Sequence, residues 1–206
     1  MAATAEIVLV LVHGRGHDPS SMEALADRLG VDGLRCIAPA APGGSWYPQR
    51  FVAPRAANEP HLSRALATVQ DILDGLERDR VPPARTLLGG FSQGACVACD
   101  ALARRPRRLG GAAILCGGLI GAGEEELARP AAGSLAGVPV LITGTEEDAW
   151  VPLERVRHSA AALGAAGAEV DLRVFPPAPH GIHPEEVDAL RELVLRRLAS
   201  GAAAQA

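Results

Sequence analysis

Lysine is missing from this sequence, because all 20 of its Lys and Arg residues are arginine. Reaction mechanisms that need a lysine as a Schiff base or as a general base are therefore excluded. The formal net charge is -4. The densest basic run, Arg104 to Arg108, is typical of the cationic C-terminal end of a helix rather than of a nucleic-acid surface. We expect no nucleic-acid partner.

Long apolar runs are also missing, since no stretch approaches the roughly 20 residues that a membrane-spanning helix needs. The opening segment, Met1 to Glu6, lacks the positive charges of a secretory signal. We therefore predict no membrane insertion and a cytoplasmic location. The 206 residues predict a single domain with its core at residues 7–198 and a frayed tail at residues 200–206.

Cysteine is scarce, with 4 residues. Cys96 and Cys99 form a C-x-x-C pattern, which can mark a redox pair or half of a zinc site. No second pattern follows, and the pair lies inside a predicted helix instead of at its start, where a thiolate would be stabilised. We interpret both as small buried apolar residues, and we predict neither a metal nor a cofactor.

Strand-like and helix-like segments alternate along the chain. Short apolar runs predict strands at residues 7–12, 34–38, 85–88, 111–116, 138–143 and 170–175. Helical spacing predicts helices at residues 19–29, 61–80, directly after Ser92, and at 152–163 and 184–198. This order predicts an α/β fold with a mostly parallel sheet of about six strands and helices on both faces. Ligands of such sheets bind beyond the carboxyl ends of the strands.

The pattern Gly90-Phe-Ser-Gln-Gly94 lies between a predicted strand and a predicted helix. A serine on so sharp a turn tolerates no bulky residue two positions before or after it, and its hydroxyl is exposed at the start of a helix. That position favours the negative charge that develops in acyl transfer. Ser92 is therefore the candidate nucleophile. The alternative is a chance match in a chain with 23 glycines.

A serine nucleophile needs a histidine base and an acid that orients the base. Asp148 is the preferred acid among three candidates after the fifth strand, because it precedes the point where the loop turns back toward a helix. His180, in the loop after the last strand, is the preferred base. His183 is the alternative base, although its position before Pro184 is typical of a helix start.

The loop after the first strand and the residue after the nucleophile are the expected source of an oxyanion hole, through the amides of Arg15 and Gln93. Aromatic residues make up only 3% of the chain, yet several fall in loops near the predicted site, and we expect them to form a substrate wall. The predicted substrate-binding residues are Trp46, Tyr47, Glu59, Phe91 and Trp150. We expect Glu59 to pair with the Arg15 side chain and to brace the loop over the nucleophile.

Four motifs of this sequence resemble, in order and setting, the phospholipase/carboxylesterase family of α/β-hydrolases, which includes acyl-protein thioesterases. They are Leu11-Val-His-Gly-Arg-Gly16, Gly90-Phe-Ser-Gln-Gly-Ala95, Asp148-Ala-Trp-Val-Pro152 and Pro179-His-Gly181. The segment Trp46 to Phe51 resembles bacterial members. The resemblance implies an α/β-hydrolase fold without a separate cap domain, a triad of Ser92, Asp148 and His180, and oxyanion donors at Arg15 and Gln93.

We therefore expect a serine carboxylesterase that hydrolyses small or medium acyl esters or thioesters through an acyl-enzyme. Thioesterase relatives carry leucine at the position of Arg15, which argues against a long apolar acyl tunnel. Two alternatives stay open: a non-catalytic binding module on the same fold, and a metal-dependent hydrolase that uses His13, His17, His180 and His183. The sequence leaves the oligomeric state open, with a homodimer as one outcome.

Overall fold

A computed structural model describes the backbone of residues 7–203. Six strands, all paired in parallel, form one sheet in the order β2-β1-β3-β4-β5-β6. The strands are β1 (Ile7–Val12), β2 (Leu34–Ile37), β3 (Thr86–Phe91), β4 (Gly111–Leu115), β5 (Pro139–Thr145) and β6 (Glu169–Phe175). The helices are α1 (Pro19–Leu29), α2 (His61–Arg78), α3 (Gln93–Arg104), α4 (Leu153–Ala165) and α5 (Pro184–Ala203). The predicted α/β fold with helices on both faces is confirmed.

The two faces of the sheet carry separate cores, and the strands alternate between them. In β1, Val8, Val10 and Val12 face the core shared with α2, α3 and α4, whereas Ile7, Leu9 and Leu11 face the core shared with α1 and α5. All six residues of β1 are buried. A continuous apolar run is therefore what a central parallel strand requires, because both of its faces lie inside the protein.

Strand β3 is longer than the sequence predicts. It continues through Gly89 and Gly90 to Phe91, and Gly90 pairs with Val12 while Phe91 pairs with Leu115. Glycine weakens a strand in general, but a Cβ at Gly89 would lie 2.9 Å from the carbonyl oxygen of Ala113. The close spacing of β3 and β4 thus requires glycine where propensity argues against a strand.

Helix α5 also differs from its prediction, since it runs to Ala203 and not to Leu198. Residues 200–203, expected to be frayed, are therefore helical, and residues 204–206 lie outside the described part of the chain, as does the opening segment 1–6. The long connection at residues 38–60 contains two short 3₁₀ turns, at Pro42–Gly44 and Arg55–Asn58, and the connection at residues 116–138 has neither helix nor strand. Within residues 7–203, none of the helices combines the length and the apolar character of a membrane crossing.

Candidate active site

Ser92 occupies a strained turn between the carboxyl end of β3 and the first residue of α3. Its backbone angles, φ 54° and ψ -117°, are unusual for a residue with a side chain. A Cβ at Gly90 would lie 2.6 Å from the carbonyl carbon of Gly94, and a Cβ at Gly94 would overlap the carbonyl group of Val12. Both glycines of the G-x-S-x-G pattern are therefore sterically required, and the turn holds the serine hydroxyl at the edge of the sheet.

The structure brings the three predicted triad residues together. Nε2 of His180 lies 2.8 Å from Oγ of Ser92, and Nδ1 of His180 lies 2.7 Å from Oδ2 of Asp148. The ring of Phe91 stacks on the His180 imidazole with centroids 5.1 Å apart. The imidazole is therefore held at both nitrogens and on one face, in the orientation that proton transfer from the serine needs.

Asp148 is fixed in the turn that precedes α4. Its Oδ1 atom accepts hydrogen bonds from the backbone amides of Trp150, at 2.7 Å, and Val151, at 3.0 Å. Burial of the Asp148 carboxyl opposes ionisation, but the hydrogen bonds from His180 and from these two amides outweigh it and lower its pKa from the ordinary value. Asp148 is therefore an anion that holds Nδ1 of His180 as a donor.

The alternative base, His183, lies elsewhere in the same loop. Its backbone amide donates to Oε2 of Glu186 at 2.9 Å, and its Nε2 atom lies 3.0 Å from the carbonyl oxygen of Pro179. His183 directly precedes α5, and Glu186 is the third residue of that helix. The bond from the His183 amide to the Glu186 side chain is therefore one of the two hydrogen bonds of a capping box. The structure thus places His183 at a helix start and not against Ser92.

The backbone amides of Arg15 and Gln93 have no hydrogen-bond acceptor among the described residues. Both residues line the same cavity as Ser92 and His180. Gln93 begins α3, where amide groups carry no partner within the helix. The loop of Arg15 is stabilised from behind by His13, whose Nε2 atom accepts from the Ala41 amide at 3.1 Å. These two amides are free to meet a negatively charged oxygen.

The expected ion pair between Arg15 and Glu59 is wrong. The Arg15 guanidinium instead donates to the carbonyl oxygens of Tyr47, Pro48 and Gln49, at 2.9, 3.0 and 2.7 Å. Oε2 of Glu59 accepts from the amide of Ser63 at 3.0 Å, in the first turn of α2. Three carbonyls in a row occupy three of the five N–H groups of the Arg15 guanidinium, while the unpaired amides at the start of α2 attract the Glu59 carboxylate.

A cavity of about 480 Å³ opens beside Ser92 and His180. Of the five predicted substrate-binding residues, Tyr47 and Trp150 line it, whereas Trp46, Glu59 and Phe91 do not. Trp46 is buried, and its indole nitrogen donates to the carbonyl oxygen of His13 at 2.8 Å, so it supports the loop from inside. The lining residues that the sequence reading missed are Pro48, Gln49, Arg50, Phe51, Cys96 and Val151.

The histidines proposed for a metal-dependent alternative do not assemble. Among the described residues, the group whose ligand atoms lie within 4.8 Å of one another is Cys116, Asp148 and His180. Asp148 and His180 are already bound to each other, and the Cys116 thiol contacts the carboxyl group of Glu186 at 3.5 Å. His13 and His183 make contacts with the backbone of their own loops. The donor set therefore does not fit a resident metal ion.

The parallel sheet, the serine turn after its third strand and the loops at its carboxyl ends define the α/β-hydrolase class. Residues 2–196 match the sequence profile of the phospholipase/carboxylesterase family. The chain belongs to this family.

Solved and curated relatives agree with that placement. A phospholipase/carboxylesterase structure from Dyadobacter fermentans is 32% identical, with a TM-score of 0.85 over 92% of this chain and 90% of that chain. An acyl-protein thioesterase 1 from Gibberella zeae is 31% identical over 57% of this chain and 50% of that protein. A protein from Oryza sativa subsp. japonica, named a probable carboxylesterase, is 26% identical over 73% of this chain and 63% of that protein. The matches thus span about half to two thirds of the length of these two curated relatives.

Proposed function

We propose that this protein is a serine carboxylesterase that hydrolyses small or medium acyl esters or thioesters through an acyl-enzyme. The observation that carries the proposal is the unbroken chain of contacts from Ser92 through His180 to Asp148. A serine is a weak nucleophile until a base accepts its proton, and this arrangement supplies both the base and the anion that orients it.

The steps follow from these positions. His180 accepts the proton of the Ser92 hydroxyl as its oxygen attacks the carbonyl carbon, and the carbonyl oxygen becomes an anion facing the amides of Arg15 and Gln93. His180 then gives the proton to the departing alcohol or thiol, which leaves an acyl group on Ser92. Water, deprotonated by His180, attacks this acyl group and releases the acid with the free serine.

The cavity fits this class of substrate. Its volume, about 480 Å³, is that of a pocket for a small molecule, and Tyr47, Phe51 and Val151 give it apolar walls. Named relatives include a carboxylesterase and an acyl-protein thioesterase, so both leaving-group types are candidates. The single domain and the cytoplasmic location stay predictions of the sequence, and the oligomeric state stays open.

A non-catalytic binding module on the same fold is the main alternative, and its test is direct. A neutral fluorophosphonate probe should label the protein at Ser92 in the presence of a chelator, with the modified residue identified by peptide mass spectrometry. Ser92→Ala and His180→Ala should each abolish ester turnover by about 10⁴-fold or more while circular dichroism stays that of the folded protein. His183→Ala is the matched control and should keep most activity. Absence of labelling in a folded protein would sink the proposal.

A further inference from the structure

The cavity beside Ser92 has an uneven charge. Arg15 and Arg50 both line it, and no aspartate or glutamate does. Asp148, the acid that contacts His180, has a side chain only 1% exposed and is paired with that histidine. The N-terminus of α3, which starts at Gln93, adds a further positive potential at the same place. A ligand in this cavity therefore meets cationic groups without a compensating carboxylate.

Arg50 is the cation with the most remaining capacity to bind a ligand. Its Nη2 group donates to the carbonyl oxygens of Ala149, at 3.2 Å, and Trp150, at 3.0 Å. A guanidinium has five N–H groups, so the other three have no acceptor among the described residues. No acidic group of residues 7–200 lies within ion-pair distance of it. Arg50 is exposed at the cavity mouth, with its charge uncompensated.

Arg15 contributes differently. Three of its N–H groups donate to the carbonyls of Tyr47, Pro48 and Gln49, so Arg15 has fewer N–H groups left for a ligand than Arg50 has. Its positive charge is nevertheless retained, because carbonyl dipoles do not neutralise a guanidinium. The field of Arg15 therefore adds to that of Arg50 on the same cavity wall.

We propose that the cavity selects short esters that carry a free carboxylate, and that Arg50 binds this carboxylate. The proposal rests on the esterase function and names its substrate class. Covering Arg50 with a neutral acyl chain would bury an unpaired cation, which is costly, whereas a carboxylate pairs with it through charge-assisted hydrogen bonds. The apolar walls at Tyr47, Phe51 and Val151 contact the methylene groups between the carboxylate and the scissile ester.

The test compares two pairs of substrates that differ only in charge. In the first pair the carboxylate is in the acyl part: the 4-nitrophenyl monoester of adipic acid and its methyl ester. In the second it is in the alcohol part: 4-carboxyphenyl butyrate and its methyl ester. Each rate is divided by the uncatalysed rate of the same substrate. We expect kcat/KM of the anionic ester to exceed that of the neutral ester by about 10- to 100-fold in at least one pair.

Variants of Arg50 distinguish two roles of its side chain. One is binding of the substrate carboxylate, and the other is hydrogen bonding to Ala149 and Trp150, which connects two loops. Arg50→Gln should lower the anionic-to-neutral ratio by about tenfold or more, and Arg50→Lys should keep part of it. Arg28→Gln, on the exposed side of α1, removes one positive charge elsewhere and should leave the ratio as it is. The ratio of the wild type should fall as salt rises from about 50 mM to about 500 mM, because salt screens an exposed pair.

The outcomes distinguish this inference from the esterase proposal. A wild type that hydrolyses neutral esters through Ser92 but has no preference in either pair overturns the inference alone. An Arg50→Gln variant that loses activity equally on both members of a pair also overturns it, because Arg50 then acts only as a loop clamp. If the folded protein shows Ser92-dependent turnover on none of the four substrates and is not labelled by the fluorophosphonate, both the inference and the esterase proposal are overturned.

Discussion

The side chains of Arg15 and Gln93 donate to the same atom, the carbonyl oxygen of Tyr47, at 2.9 and 2.8 Å. Gln93 also accepts the amide hydrogen of Trp46 through Oε1, at 2.9 Å. The two residues whose backbone amides we assign to the oxyanion hole therefore use their side chains to hold one peptide of the overlying loop. The floor of the site and one wall of the cavity are built by the same residues.

Replacing Arg15 by leucine tests this connection. The Arg15→Leu variant keeps the backbone amide but loses three hydrogen bonds to the Tyr47–Gln49 segment. We expect kcat/KM for a butyryl ester to fall about tenfold, which corresponds to about 1.4 kcal/mol, the net contribution of roughly one of these hydrogen bonds. The preferred acyl length should shift toward longer chains, because the wall becomes looser and more apolar.

The measurement is a series of 4-nitrophenyl esters of increasing acyl length. The matched control, Arg28→Leu, makes the same exchange on the exposed side of α1 and should leave the series unchanged. An identical chain-length profile in wild type and Arg15→Leu, or a wild type that prefers palmitoyl over butyryl esters, would contradict this prediction.

Replacing Asp148 by asparagine isolates the role of its charge. Oδ1 of the asparagine can still accept the amides of Trp150 and Val151, but the group facing Nδ1 of His180 is no longer an anion. We expect kcat to fall about 10³- to 10⁴-fold, because the imidazole loses the tautomer and the stabilisation that proton transfer needs. The midpoint of urea unfolding should change little.

Steady-state kinetics and urea titration measure both quantities in the same preparation. Glu147→Gln is the matched control, since it removes one carboxylate from the adjacent exposed position. A variant Asp148→Asn with more than a tenth of the wild-type kcat would show that the charge is not needed.

The hydrogen bonds that Glu186 accepts should contribute to the stability of the fold. This fully buried carboxylate accepts from the Thr143 hydroxyl, from the Cys116 thiol at 3.5 Å and from the His183 amide at 2.9 Å. Glu186→Ala removes the acceptor of two buried donors and of the half-buried His183 amide, so the free energy of unfolding should fall by about 2 to 4 kcal/mol. Glu186→Gln keeps a side chain of the same shape and should lose less. Urea unfolding followed by circular dichroism gives both values, and equal losses in the two variants would argue against the hydrogen bonds as the cause.

Thiol modification provides a pH-dependent prediction. Burial, helped by the nearby charges of Glu23 and Asp27, raises the pKa of the Cys36 thiol to about 11. Only the thiolate reacts with iodoacetamide, and at pH 8 a group with this pKa is about 0.1% ionised. The rate at Cys36 should therefore rise about tenfold for each pH unit between 7 and 10.

Cys99 and Cys116 are buried and do not line the cavity, so they should react only when the protein unfolds. Peptide mass spectrometry resolves the four sites, and the same reaction in urea gives the unfolded reference. Rapid labelling of Cys99 or Cys116 in the native protein at pH 8 would be inconsistent with these environments.

The chemistry of the site could be predicted from the sequence better than its walls. Ser92, Asp148 and His180 each follow the end of a strand, and the carboxyl ends of parallel strands meet at one edge of the sheet. Their convergence thus follows from topology. The pattern of short apolar runs predicted every strand, and only the ends shifted, as at Gly89 and Gly90, where close strand spacing overrides propensity.

Side chains of the irregular connection at residues 38–60 could not be placed in the same way. An aromatic residue in a loop can face the cavity or the core, and the sequence carries no period that decides between them. Trp46 points inward because its indole N–H donates to the His13 carbonyl oxygen. Its ring also packs against the His13 ring, with the centroids 5.1 Å apart. Its neighbour Tyr47 lines the cavity. The choice depends on partners far away in sequence.

The turn that holds Asp148 has two attachments. On its inner side, Asp148 accepts the amides of Trp150 and Val151, and on its outer side, Arg50 binds the carbonyls of Ala149 and Trp150. A single peptide segment therefore connects the rim of the cavity with the acid that steers His180. Substitutions that change substrate preference at this rim will therefore also lower turnover. Directed evolution toward a new substrate will change substrate preference and kcat together.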